Sequence, residues 1–210
     1  MRNWDYRYCW LRDATFTLLA LMSLGYHDEA QAWRDWLIRA VAGSPSQVQI
    51  MYGVGGERWL PELIVRWLPG YENSAPVRIG NDASKQLQLD VYGEIADAMF
   101  QALKAGIAPS ERGQAVRPVV LNYLATAWRE PDEGIWEVRG GRQHFVYSKV
   151  MAWVASRRMS WKLKHSTSQG SDGARSPTKS MPRSVSAVST ATLTALCRLT
   201  APNGLTPVCY

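Results

Sequence analysis

Residues 131–148 read PDEGIWEVRGGRQHFVYS and combine carboxylates, an indole, guanidinium groups and glycines in one short segment. The carboxylates are Asp132, Glu133 and Glu137, and Trp136 adjoins the last of them. Because the proline and the glycines disfavour a regular helix, we predict a loop that presents its side chains. A carboxylic acid can protonate a glycosidic oxygen, an indole can stack on a sugar ring, and Arg can donate to hydroxyls. The loop therefore predicts a sugar site, with a solvated acidic turn as an equal alternative.

A second distinctive stretch, RNWDYRYCWLRD, occupies residues 2–13. Its aromatic residues alternate with other side chains, and Arg12 and Asp13 follow them. Alternating aromatic side chains also suit a carbohydrate surface, so a carbohydrate-binding fragment without catalysis is a second functional class. Asp13 has a simpler explanation as well, because Asp is a preferred residue at the N-cap of a helix.

Four segments of the chain, including these two stretches, together resemble glycoside hydrolase family 15, the glucoamylase-like enzymes. NWDYRYCWLRDATFTL, residues 3–18, is similar to the start of the family's catalytic barrel. DEGIWEVRGGRQHFVYSKVMAW, residues 132–153, is similar to its general-acid loop. GYENSAPVRIGN at 70–81 and QLQLDVYGE at 86–94 also resemble family segments. The resemblance runs from Met1 to about Ala155.

The resemblance implies a general acid and a hydroxyl-binding pair, and the residue types of Trp10, Trp136 and Arg78 suggest three further sugar contacts. Glu137 matches the family's acid, and its apolar neighbours Ile135, Trp136 and Val138 predict burial that favours the protonated form. Arg12 and Asp13 match a pair that binds hydroxyls of the terminal glucose. The predicted substrate-binding residues are Trp10, Arg12, Asp13, Arg78 and Trp136. The structural alternatives are a surface position for Glu137 and a place in the core for the two tryptophans.

The family inverts configuration, which requires a second carboxylate about 6.5–9.5 Å from the acid. By resemblance this general base lies in the last part of the barrel. The single acid after residue 155, Asp172, has a context that does not match the base motif. We therefore predict that this chain by itself does not hydrolyse α-glucosides.

The apolar pattern predicts an all-α fold. Helical periodicity occurs over residues 13–24, 28–42, 85–103, 110–128 and 146–155, with a long irregular segment from Gly43 to Asn81. The first helix is apolar around most of its circumference, which predicts burial on most sides. The resemblance implies an (α/α)6 barrel of twelve helices, so this chain corresponds to a partial barrel of about the first five or six helices with long loops.

Composition divides the chain into a predicted partial catalytic domain, 1–155, and a tail, 156–210. The tail holds eight of the 24 Lys and Arg residues but one of the 18 acids, which leaves the body near neutral. Its Ser-rich, basic composition predicts disorder. Because the composition changes abruptly inside a helix, we predict that the tail is translated out of frame. The alternatives are a natural disordered tail and a basic arm for nucleic acid or membrane.

The remaining composition narrows the functional classes. Three scattered cysteines fit neither a zinc site nor a closed disulfide framework, so we predict no metal and no cofactor. A near-neutral body predicts no nucleic-acid partner, and the chain shows no long apolar run, which predicts no membrane partner and a cytoplasmic protein. The resemblance implies a glucoamylase-like enzyme that hydrolyses α-glucosides such as starch-derived oligosaccharides, with trehalose as the alternative substrate. The sequence does not indicate an oligomeric state.

Overall fold

The computed structural model describes residues 3–137 and 139–166, with side chains to residue 160, and the described chain is mostly helical. The predicted all-α class is confirmed. The chain divides into two compact units, Met1–Gln88 and Leu89–Tyr210. The predicted tail from residue 167 onward lies outside the described residues.

Two helices and two small sheets form the first unit. Strand β1, Cys9–Trp10, pairs antiparallel with β2, Met51–Tyr52, and leads directly into α1, Leu11–Ser23. Helix α2 spans His27–Ala40 and contacts α1. Gly25, at φ +88°, follows the end of α1 in the left-handed conformation that glycine adopts without strain.

The first helix is amphipathic rather than buried on most sides. Its buried side chains are Leu11, Thr15, Leu18 and Met22, which recur at helical spacing along one face. Phe16, however, is 62% exposed. The prediction of burial all round was therefore wrong, because a high density of apolar residues does not say how many neighbouring elements cover them.

The long segment between α2 and the second unit has a regular part. Strand β3, Leu63–Val65, pairs antiparallel with β4, Val77–Ile79, so that Ile64 lies opposite Arg78. Ile50 and Met51 pack with Trp10, Leu60 and Ala83 in a hydrophobic core. The segment is thus anchored to the first unit rather than being an independent loop.

Three helices form the second unit. Helix α3 spans Asp90–Lys104, α4 spans Glu111–Ala127 and α5 spans Val146–Ser166. α3 and α5 cross so closely at Gly93 that an added Cβ would lie 2.2 Å from the carbonyl oxygen of Met151. Only glycine fits there, which explains its presence inside a helix despite its low helix propensity.

The boundaries of these helices refine the predictions. The Ser110 hydroxyl accepts a hydrogen bond from the Gly113 amide at 3.1 Å and caps α4, with Pro118 inside the helix. Helix α3 begins five residues later than predicted, because Asp82–Lys85 form a separate 3₁₀ turn. Helix α5 includes residue 155, and the proposed domain boundary at that position stays a prediction.

Among the residues that the structure describes, no helix combines the length and the apolar character that a membrane span requires.

Candidate active site

The predicted acid loop connects α4 to α5 and is closed at its base. Asp132 and Gln143 form an antiparallel bridge, in which the Asp132 amide donates to the Gln143 carbonyl at 2.9 Å and the Gln143 amide returns a bond at 2.8 Å. Next to this bridge, Nε of Arg142 lies 3.0 Å from Oε1 of Glu133. The two ends of the segment that carries Glu137 are therefore tied together.

A glycine fixes the turn that follows the bridge. Gly134 has φ +67°, and a Cβ at this position would lie 2.6 Å from the ring of Phe145. A side chain at residue 134 would thus clash with the aromatic ring as well as strain the backbone. The glycine in the sequence motif is required by close packing inside the loop.

Glu137 lies in an unusual backbone conformation at the far part of this loop. Its φ is +53°, in the left-handed region, and its amide donates to the Gly134 carbonyl at 3.1 Å. A non-glycine residue in this region costs about 1–2 kcal/mol relative to ordinary backbone. Such strain is concentrated at functional sites, where the surrounding structure holds it.

Trp136 is 85% exposed, so the alternative that places its indole in the core is wrong. An exposed indole provides a flat apolar face that can stack on a sugar ring. The same exposure corrects another expectation, because Trp136 does not bury the neighbouring Glu137, which is itself partly exposed.

Buried charged groups hold the base of the loop. The side chain of Asp132 is 0% exposed, and its Oδ2 accepts a hydrogen bond from the Leu89 amide at 2.9 Å. Lys149, in the first turn of α5, is also buried and donates through Nζ to the Glu130 carbonyl. Burial lowers the pKa of Lys149, whereas the negative charges of Asp132 and Glu130 raise it.

Sequence reasoning placed Asp132 among the carboxylates of the loop but gave it no structural role, and it did not single out Lys149. Both Ser148 and Lys149 are buried. A hydrogen bond joins α5 to α3, since the Tyr147 hydroxyl donates to Oε1 of Glu94 at 3.1 Å. For Asp132 the sequence offered only its place in the motif, because nothing local indicates that its partner is Leu89.

Arg12 and Asp13 lie in the first turn of α1 in the first unit. Nη2 of Arg12 is 3.2 Å from Oδ2 of Asp13, whose side chain is 68% exposed. The N-cap residue is Trp10, and no side chain caps this helix. The capping alternative for Asp13 is therefore wrong, and its carboxylate points to solvent with an adjacent guanidinium that fixes its orientation.

The two other residues of the first unit that were predicted to bind substrate, Trp10 and Arg78, contact other parts of the protein. Trp10 is 8% exposed and belongs to the hydrophobic core. Arg78 forms an ion pair with Glu62, with Nε 3.1 Å from Oε1, and its guanidinium lies 4.4 Å from the centre of the Trp4 ring. A direct role for Trp10 or Arg78 in substrate binding stays a prediction.

Asp5 is a further buried acid that sequence reasoning missed. Its carboxylate accepts bonds from Arg7 at 2.9 Å, from the Tyr8 hydroxyl at 2.9 Å and from the Gly80 amide at 3.0 Å. The hydrogen bond from Arg7 is the main reason why the pKa of Asp5 lies well below its usual range, although burial acts in the opposite direction. Asp5 thereby joins the amino-terminal segment to the residue after β4.

The structure thus places Trp136 and Glu137 side by side on one loop of the second unit, and Arg12 and Asp13 side by side on one helix of the first. Among the described residues, no group of three or more His, Cys, Asp or Glu could hold a metal ion.

An acid at a strained position on a closed loop, beside an exposed indole, is an arrangement suited to a glycoside hydrolase. The chain belongs to the family described as Glycosyl hydrolases family 15, whose model matches residues 2–190. This match continues beyond residue 155, where the motif resemblance ends.

Curated relatives match about three quarters of the chain. A trehalase from Mycolicibacterium smegmatis is 46% identical over 160 residues, which are 73% of this chain and 24% of that protein. A trehalase from Mycobacterium tuberculosis is 45% identical over 157 residues, covering 73% and 23%. Trehalase 1 of Sulfolobus acidocaldarius is 36% identical over 162 residues, covering 75% and 29%. The chain spans about a quarter of the length of these relatives. No solved structure is significantly similar to the chain.

Proposed function

We propose that this chain is part of an inverting glycoside hydrolase that cleaves α,α-trehalose, with Glu137 as the general acid. The observation that carries the proposal is the backbone of Glu137, which adopts φ +53° on a loop closed at its base. Family membership supports the reaction class, and relatives named trehalase favour trehalose over the starch-derived oligosaccharides that a glucoamylase would use.

In the proposed reaction, Glu137 donates its proton to the glycosidic oxygen while the bond to the anomeric carbon breaks. Water adds to that carbon from the opposite face and loses a proton to a second carboxylate, so one trehalose and one water give two glucose molecules. General acid–base catalysis of this kind contributes about 10²–10⁴-fold to the rate. By resemblance, the second carboxylate belongs to a part of the family's barrel that this chain does not match.

The other predicted site residues would bind the sugar. Trp136 offers an exposed face for stacking, and the carboxylate of Asp13 can accept hydrogen bonds from two hydroxyls. Arg12 can donate to a third hydroxyl, and its ion pair with Asp13 holds the two side chains in a fixed relative orientation. The chemistry of each pair is suited to a polyhydroxylated, uncharged substrate.

The test measures glucose release from trehalose, maltose and soluble starch by two proteins. One is the 210-residue chain, and the other is a complete family 15 enzyme that contains this segment, called the complete enzyme below. We expect turnover by the complete enzyme with trehalose preferred, and no turnover by the chain alone. If the complete enzyme prefers maltose or starch, its activity is that of a glucoamylase instead. If the complete enzyme binds sugar without turnover, its role is carbohydrate binding.

Two substitutions check the assignment of the acid. Glu137→Gln should remove most turnover of the complete enzyme. Glu111→Gln, at the exposed start of α4, is the matched control and should leave turnover unchanged. If Glu133→Gln rather than Glu137→Gln abolishes turnover, the acid is Glu133.

A further inference from the structure

We propose that Asp132 is a positioning residue for Glu137, because it fixes the acid loop to the start of α3. This inference rests on the proposed function of Glu137. Asp132 touches neither Glu137 nor the reacting atoms in the proposed reaction, so its effect is exerted through the loop that it anchors. Its backbone and its side chain take part in separate interactions.

The backbone of Asp132 closes the loop. Both hydrogen bonds of its bridge with Gln143 are short, at 2.9 and 2.8 Å, and Glu137 lies between these two residues. In the neighbouring ion pair of Glu133 and Arg142, the Arg142 side chain is 48% exposed. Exposed ion pairs contribute about 0–1 kcal/mol, whereas each hydrogen bond of the bridge contributes about 0.5–1.5 kcal/mol, so the bridge is the stronger of the two ties.

The side chain of Asp132 connects the closed loop to a helix. Oδ2 accepts from the amide of Leu89, the residue before α3, at 2.9 Å. The start of a helix carries a partial positive charge that favours a carboxylate. The charge of Lys149 provides a second favourable interaction from the first turn of α5. One residue therefore fixes the base of the loop relative to two helices that pack along each other.

The burial of Asp132 lowers the stability of the folded chain. Its side chain is fully buried, and Oδ1 has no hydrogen-bond partner in the part of the chain that the structure describes. A buried polar atom without a hydrogen bond costs about 1–3 kcal/mol. An apolar residue would avoid this penalty but could neither cap α3 nor offset the charge of Lys149.

Precise anchoring matters because Glu137 is in a strained conformation. A left-handed backbone at a non-glycine residue persists only where the surroundings over-determine it. The bridge, the contact of Gly134 with Phe145 and the cap on α3 supply that constraint. A displacement of an acid by about 1 Å can lower the rate about 10²-fold. Loosening the base of the loop should therefore misplace the acid.

The kinetic test separates positioning of the acid from general destabilisation. It compares trehalose with α-glucosyl fluoride in the complete enzyme, because fluoride leaves as an anion and needs little protonation. We expect Asp132→Ala to lower kcat on trehalose about 10²-fold. Asp132→Asn, whose amide oxygen can still accept from Leu89, should lower it about 10-fold. Both variants should retain most of the rate on α-glucosyl fluoride, as Glu137→Gln should.

Asp5→Asn is the matched control, because Asp5 is also buried and accepts from a backbone amide, that of Gly80 at 3.0 Å. Any loss caused by this change should be equal on the two substrates. An equal loss on both substrates for the Asp132 variants would overturn the proposal. So would an unchanged rate on trehalose in Asp132→Ala.

A second measurement does not depend on activity. Amide hydrogen exchange in the 210-residue chain should become faster in residues 133–142 of Asp132→Ala, which lacks the acceptor for the Leu89 amide, with α1 and α2 unchanged. Unchanged exchange in the loop would overturn the proposal. If the complete enzyme turns over neither substrate, the proposed function fails, and the exchange experiment still tests whether Asp132 fixes the loop.

Discussion

The two regions that carry predicted site residues hold them by different means. Arg12 and Asp13 occupy the first turn of a regular helix, where neighbouring residues and the helical backbone set their directions. Glu137 occupies a left-handed position on a loop, where a bridge, a glycine and a buried aspartate set its direction. The first turn of a helix is suited to residues that bind substrate, because ordinary helical backbone holds them without conformational strain. The strained loop is suited to the residue that must act at one atom.

The largest effect expected from this difference is in the chemical step. Glu137→Gln in the complete enzyme should lower kcat on trehalose about 10²–10⁴-fold, because the amide keeps the shape but has no acidic proton to transfer. KM should change little, since the loop keeps its structure. Steady-state kinetics with trehalose measures both constants. A near-normal kcat would show that Glu137 is not the general acid. The strain at this position would then have no role in catalysis.

A smaller effect, on substrate binding rather than on the chemical step, is expected for Asp13 in the first turn of α1. Asp13→Asn should lower kcat/KM about 10–10²-fold, as hydrogen bonds to a charged group contribute about 1.5–3 kcal/mol. Asp35→Asn is a close control, because Asp35 pairs with the preceding residue, Arg34, at 2.9 Å on α2. That variant should behave like the parent enzyme. Equal kinetics for the two variants would mean that Asp13 is an ordinary surface acid.

The helical part of the fold could be predicted because it depends on local sequence. Helices α1, α2, α4 and α5 begin within two residues of their predicted positions. α3 is the exception, since the Asn81 side chain accepts from the Ala83 amide at 3.0 Å and starts a separate 3₁₀ turn. Asn is a common residue at such turns. The apolar stripe that predicted this helix begins only at Leu89, so it did not fix where the helix starts.

The supports of the candidate site could not be predicted, because they join residues far apart in the chain. Asp132 bonds to Leu89, and Asp5 bonds to Gly80. Nor does any local rule place a glutamate in the left-handed region, where glycine and asparagine are usual. Motif resemblance suggested Glu137 as the acid, whereas only the structure showed what holds its loop.

The buried aspartate of the first unit gives a prediction for pH dependence. The folded-state pKa of Asp5 is depressed, chiefly by Arg7. Its stabilising effect is therefore fully present above its unfolded pKa of about 3.9 and is lost progressively as the pH falls from there towards the folded-state pKa. Asp5→Asn should cost about 2 kcal/mol at pH 7. Urea unfolding of the chain and this variant between pH 7 and pH 2.5 should show the difference shrinking below about pH 4. A constant difference would show that the charge of Asp5 is unimportant.

The smallest expected effect tests the strain itself. Replacing Glu137 by Gly should stabilise the 210-residue chain relative to Glu137→Ala, because glycine adopts φ +53° without the steric cost that any Cβ incurs. That cost is about 1–2 kcal/mol, and the greater freedom of glycine in the unfolded chain offsets about 0.5–1 kcal/mol of it. The net gain should be about 1 kcal/mol, or about 2–4 °C in Tm for a chain of this size.

The same pair of substitutions at Glu133 controls for the properties of glycine. Glu133 is not among the residues with positive φ, so Glu133→Gly should be less stable than Glu133→Ala. Both Glu133 variants lose the contact with Arg142, so their difference reports the backbone alone. Thermal unfolding of the four variants gives the two differences. If glycine stabilises neither position, Glu137 is not strained, and the loop holds its acid no differently from the way α1 holds Arg12 and Asp13.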